Sequence, residues 1–356
     1  MTSLGPAYID VPRDRHGGLG MVLRVRETEE IVERARRIAD DVLFPAALET
    51  DAADLVPVAS LDLLAREGFY AVAGPVEAGG IAPEDPAFPS IVEALGGGCL
   101  TTTFVWIQHH SAVMAVARSQ TRGLREEWLE PLCRGERRAG IARAGERPGP
   151  PSLRASITND GIVLDGEAPW VSGWGRIDVM LIAARSGDDT IIRALVDAEA
   201  SETLEAEHLR LVGVNASGTV TLRFREHLVP AARIVETEPL SAVLERDPET
   251  LRTNGSLSLG VASRGCRLLG PTPLDDELLA ARSALDAATT DTMPAARAHA
   301  AELASRVAAA LTVHDGSRSI LMDHHAQRLA REALFLLVFG TRASIRAELL
   351  QRLARD

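Results

Sequence analysis

Two adjacent imidazoles and an amide stand together in FVWIQHHSA (104–112), where Gln108, His109 and His110 fall in a segment of helical pattern. An imidazole can pass protons near neutral pH, and an amide can hold a polar ligand. Neighbours on a helix point about 100° apart, so only one of the two histidines can face a given cavity. A hydrogen-bonded structural histidine is the competing reading. Metal chemistry is not indicated, because His324 and His325 are neighbours and neither HxxxH, HExxH nor CxxC occurs. A nucleophilic triad lacks its GxSxG turn. The clusters GLGM and ALGGGC lack the strand–GxGxxG–helix setting of a dinucleotide site.

The elements that must position such groups follow from periodicity. After a Gly- and Pro-rich stretch of about 23 residues, Ile31, Ala35, Ile38 and Val42 recur at helical steps. Further helices are expected over Ser60–Glu67, Ile91–Leu95, Thr102–Arg118 and Leu124–Leu132. Near Gly135 the period changes to two. ASITNDGIVLDGEAPWV carries hairpin chemistry at Asn159, Asp160 and Gly161. VMLIAA (179–184) and IIRALVDA (191–198) read as buried strands. Val220, Leu222 and Phe224 alternate with Thr221, Arg223 and Arg225, giving one buried and one wet face. After Pro239 the helical period returns, with Leu303, Val307 and Leu311 on one face and Ile345, Leu349 and Leu353 on another.

Bulk properties exclude several classes. The chain has 356 residues, 46% hydrophobic and 25% charged, with a formal charge of −12. That charge argues against nucleic acid. No apolar run of about 18 residues suggests a membrane span, and no signal peptide is evident, so a cytoplasmic location is expected. Cys99, Cys133 and Cys266 read as reduced, buried thiols.

LDLLAREGFYAVAGPVEAGG (61–80), EEWLEPLCRGE (126–136), LDGEAPWVSGWGRIDVMLIAAR (164–185) and VNASGTVTLRFREHLVPAARI (214–234) together resemble the acyl-CoA dehydrogenase family, over nearly the whole chain from Val25. The resemblance implies an α+β fold: an N-terminal arm (1–24), a helical domain (25–135), a central antiparallel β-domain (136–237) and a C-terminal four-helix bundle (238–356). It also implies FAD in extended form between the β-domain and the C-terminal helices. Small-molecule chemistry on an acyl-CoA is implied as well, in a homodimer or homotetramer whose neighbouring chain completes the cofactor site.

Carried onto this sequence, Trp170 and Ser172 take the places beside the flavin: an indole can cover one ring face and a hydroxyl can meet N5. Ala142, Arg143 and Ala144 replace the family's Thr-Glu-Pro, leaving backbone contacts to the pyrimidine edge. Gly316 and Ser317 stand before a helix expected to meet the pyrophosphate, with Asp315 as its cap. Gln108 and His109 border the substrate cavity. The family's Arg-x-x-Phe-Gly motif is absent. Where the family's proton-abstracting Glu precedes Gly-Thr, this chain has Phe339 before Gly340 and Thr341. An alternative base position falls at Thr250, one residue from Glu249, which is the candidate that remains. Glu332 matches a structural acid. Two other readings share the scaffold: a flavin-dependent monooxygenase, and a non-catalytic subunit paired as a heteromer with an active homologue.

Overall fold

The computed structural model describes residues 17–81 and 87–354, with side chains from residue 28 onward apart from those at 122 and 247–250. Among these residues, helices come first, then strands, then helices. The N-terminal part holds α1 (Gly17–Ile38), α2 (Ala47–Ala52), α3 (Val58–Arg66), α4 (Ala87–Gly98), α5 (Leu100–Arg118) and α6 (Arg122–Cys133). The first helix already begins at Gly17, inside the stretch read as an arm, and residues 1–16 lie outside the described residues. A π-helical turn at Ala39–Leu43 extends α1. Its extra residue rotates the register. Leu43 therefore takes the buried place while Val42, expected inside, is 43% exposed.

The β-domain is an eight-stranded sheet. It comprises β1 (Ala139–Ala142), β2 (Leu153–Ile157), β3 (Gly161–Val171), β4 (Val179–Arg185), β5 (Thr190–Asp197), β6 (Leu204–His208), β7 (Val220–Pro230) and β8 (Ile234–Pro239). The order is β6-β7-β3-β2-β4-β5-β8, with β1 beside β4. Pairing is antiparallel except where β1 and one end of β2 run parallel to β4. The expected hairpin joins β2 to β3, with Ile157 opposite Ile162. Val220, Leu222 and Phe224 are buried as their alternation requires.

Five helices close the chain: α7 (Leu240–Leu269), α8 (Leu274–Asp286), α9 (Met293–Asp315), α10 (His325–Val338) and α11 (Ala343–Leu353). One apolar core runs from α1, α4 and α5 into α7, α9, α10 and α11. The two helical parts meet where α4 crosses α7 at glycine. A Cβ on Gly260 would stand 2.5 Å from the Glu93 carbonyl oxygen, and one on Gly97 would stand 2.9 Å from that of Gly260. Only hydrogen fits at such a crossing. No helix among the described residues is long and apolar enough to cross a membrane.

Candidate functional site

The site grows from the end of α10. Phe339 caps this helix, Gly340 turns the chain with φ 63°, and the Thr341 hydroxyl donates to the Val338 carbonyl at 2.6 Å. Phe335 and Phe339, one turn apart, stack at 5.4 Å between centroids. Phe104 of α5 meets each of them edge-on at 5.0 Å. Such offset and edge contacts are the favourable ones for aromatic rings. The place where the resemblance expects a base is therefore an aromatic cluster.

Arg297 of α9 lies beneath it, 1% exposed. It donates to the carbonyls of Leu336 (3.3 Å) and Phe339 (3.2 Å) and to the Ser258 hydroxyl of α7 (3.2 Å). Its Nε has no partner, and burial pulls the guanidinium down to about 10. The partial negative charge at the C-terminus of α10 is what makes a buried cation tolerable here. Two turns back, Glu332 and Arg328 form a fully buried pair at 2.5 Å, and burial pushes the Glu332 carboxyl up. Arg331 pairs with Asp51 and donates to the Val212 carbonyl at 3.0 Å, tying α10 to the loop before β7.

Across from these helices, Trp170 ends β3 in the left-handed region, at φ 65°, and is 57% exposed. The β3–β7 register shifts between Ala168 and Val171, so the bulge turns the indole out of the sheet. A bulky residue with positive φ is costly and tends to persist where function holds it. Ser172 is buried instead. Its hydroxyl shares a 2.8 Å hydrogen bond with Thr219, which shares another with Ser217.

The remaining expectations meet mixed outcomes. Ala142 and Ala144 are buried at the end of β1 and the turn that follows it. Arg143 pairs with Glu146, itself held by Arg193 at 2.6 Å. The Gly316–Ser317 segment opens a short 3-10 helix, Gly316–Ile320, with Asp315 at its N-cap position but making no side-chain cap hydrogen bond, and the next α-helix begins only at His325. Asp315 ends α9, and α10 is capped by His324, whose Nδ1 accepts from the Ala326 amide at 3.2 Å. Gln108 folds back on its own helix, donating to the Phe104 carbonyl at 3.3 Å.

His109 does not face a cavity. It is buried, with Nε2 at 3.1 Å from the Leu132 carbonyl and Nδ1 accepting from the Ala139 amide at 3.0 Å. Burial pulls it down to about 3. His110 is buried among Phe88, Trp106 and His109, both nitrogens without partners. With both imidazoles locked in the core, the monooxygenase reading loses its motif. Glu249 lies on α7, but its side chain is outside the described residues.

The comparisons agree with this architecture. Residues 26–136 match the family model of the acyl-CoA dehydrogenase N-terminal domain. A putative acyl-CoA dehydrogenase from Mycobacterium smegmatis superposes with a TM-score of 0.80 at 20% identity, covering 92% of this chain and 97% of that one. The chain has the acyl-CoA dehydrogenase fold, and its N-terminal helical part carries that family's sequence pattern. A glutaryl-coenzyme A dehydrogenase in complex with glutaryl-CoA superposes at 0.79 and 16% identity, over 97% of both chains. Mitochondrial isobutyryl-CoA dehydrogenase of Bos taurus is 26% identical over 219 residues, 60% of this chain and 53% of that protein. The chain thus spans about half the length of the curated relatives it matches.

Against the acyl-CoA dehydrogenase fold, the residues present fit one end of FAD and not the other. Trp170 is free to cover a flat ring. Toward the pyrophosphate, the expected α-helix start is a short 3-10 helix beside the Asp315 carboxylate. Sequence reasoning missed Phe104, Phe335, Ser258 and Arg297. A signal existed for the last: Arg297 interrupts the apolar stripe Met293, Ala301, Ala304, Val307 and Leu311 of α9.

Proposed function

We propose that this protein is an FAD-dependent oxidoreductase of acyl-CoA dehydrogenase type, acting on an acyl thioester or related small molecule, in which residue 339 does not serve as base. The observation that carries the reading is Trp170, an indole more than half exposed at a left-handed bulge. Bound FAD would supply a hydride acceptor. Trp170 would cover one face of its ring, and backbone amides near Ala142 and Ala144 would meet its edge. A phenyl ring at 339 takes no proton, so α-proton removal falls to another group, for which Glu249 is the candidate.

A second reading, a non-catalytic subunit beside an active homologue, is favoured by the packing of Phe339 against Phe104 and Phe335. Assembly with another chain, its own copy or a homologue, is supported by Val313, Ile320, Leu321 and Met322, between 52% and 82% exposed. The visible spectrum of the purified protein, before and after adding FAD, separates the two. Flavin bands that bleach anaerobically with an acyl-CoA support the oxidoreductase. A protein that stays colourless sinks it and leaves the subunit reading.

A further inference from the structure

We infer that Phe104, Phe335 and Phe339 form a ring plug between α5 and the end of α10 that keeps a linear acyl tail out of this chain. The inference rests on the proposed function in one respect, that the protein takes an acyl thioester and that Phe339 stands where the resembling family has its base. The three rings contact one another pairwise, at centroid separations of 5.0, 5.0 and 5.4 Å. Phe104 is 5% exposed, and the other two are half-buried.

The plug is fixed from behind. Arg297 holds the carbonyls of Leu336 and Phe339, so the backbone bearing the last ring is tied to α9. Thr341 bonds back to Val338 and tightens the same turn. One turn further along the same face of α5, Gln108 bonds back to the Phe104 carbonyl at 3.3 Å. A hydrocarbon tail entering here must part the three rings and lose their mutual contacts before it gains any of its own. The substrate class is narrowed accordingly, to thioesters with a short acyl group or one that stays outside the α5–α10 space.

The test uses the full chain, wild type and Phe104→Ala/Phe339→Ala, with Phe104→Leu/Phe339→Leu in its place if the alanine pair does not fold. Calorimetry compares hexanoyl-CoA with CoA, and toluene is added separately in thermal melts as an apolar probe that needs no CoA site. The plug predicts that wild type binds hexanoyl-CoA and CoA within about twofold, while the variant prefers hexanoyl-CoA by about tenfold. It also predicts that toluene raises the melting temperature of the variant alone, as an apolar ligand does in an engineered cavity. A tenfold preference for hexanoyl-CoA in wild type overturns it. So does toluene stabilising wild type, or toluene failing to stabilise the variant. If neither thioester nor CoA binds either protein, the thioester reading fails, and the toluene comparison still decides the plug.

Discussion

The guanidinium of Arg297 donates to the main-chain carbonyl of Phe339 at 3.2 Å, from a position that solvent does not reach. Burying a cation without a carboxylate is costly, and burying helix-end carbonyls without donors is costly too. Each offsets part of the other's cost. Arg297→Met keeps the volume and removes the donors, so the carbonyls of Leu336 and Phe339 lose their partner. The expected loss is about 2–3 kcal/mol of stability, read from urea unfolding of both proteins. An unchanged midpoint would show that the helix end finds other donors.

The crossing of α4 over α7 makes a second prediction. Alanine is the better helix former by about 1 kcal/mol, yet a Cβ on Gly260 meets the Glu93 carbonyl oxygen at 2.5 Å and the Gly97 nitrogen at 2.8 Å. Both are backbone atoms of a buried helix and cannot step aside. Gly260→Ala should therefore destabilise by about 2 kcal/mol or more, measured by thermal melting. A stabilised variant would mean that the two helices can slide apart.

Acid sensitivity follows from the buried histidines. His109 is held near 3 against an ordinary value of 6.5, and burial together with the neighbouring His109 holds His110 well below it. Both stay neutral in the folded chain while the unfolded chain takes up protons. Stability is thus complete above about pH 6.5 and falls as the pH drops from there toward 3. Glu332, pushed up by burial, works in the opposite sense, binding its proton more tightly when folded. His110→Phe suits the cage of Phe88 and Trp106 and removes one titrating group. Its unfolding free energy should fall less steeply between pH 6.5 and 5, by up to about 1.4 kcal/mol per pH unit. Parallel pH profiles for the two proteins would refute the assignment.

The order of helices, strands and helices was legible because periodicity reports which face is buried. It was clear in β7, where Val220, Leu222 and Phe224 are all inside. It misled at Val42, because a π-helical turn leaves no mark in the hydrophobic pattern. The missing carboxylate at 339 could be read from residue type alone. What replaces it could not: Phe335 and Phe339 share a helix face visibly, but Phe104 lies more than two hundred residues away in sequence. His109 and His110 were ambiguous for a similar reason. A buried imidazole and a cavity-facing one look the same until the partners, Leu132 and Ala139, are seen.

Trp170 offers the last test, because strain and ligand binding pull on it in opposite directions. Its φ of 65° disfavours a bulky side chain, and more than half of the indole is exposed, so the ring contributes little to the core. Asparagine accepts the left-handed region more readily. Trp170→Asn should leave the melting temperature of the FAD-free protein unchanged or raise it, by up to about 1 kcal/mol of stability. The same change should weaken FAD binding about tenfold, since stacking on an aromatic face is lost. Fluorescence titration with FAD and thermal melts of the same two samples give both numbers. Weaker FAD binding without lost stability would assign the strain to the ligand. Lost stability with unchanged FAD binding would make Trp170 a packing residue, and the flavin reading would lose its main support.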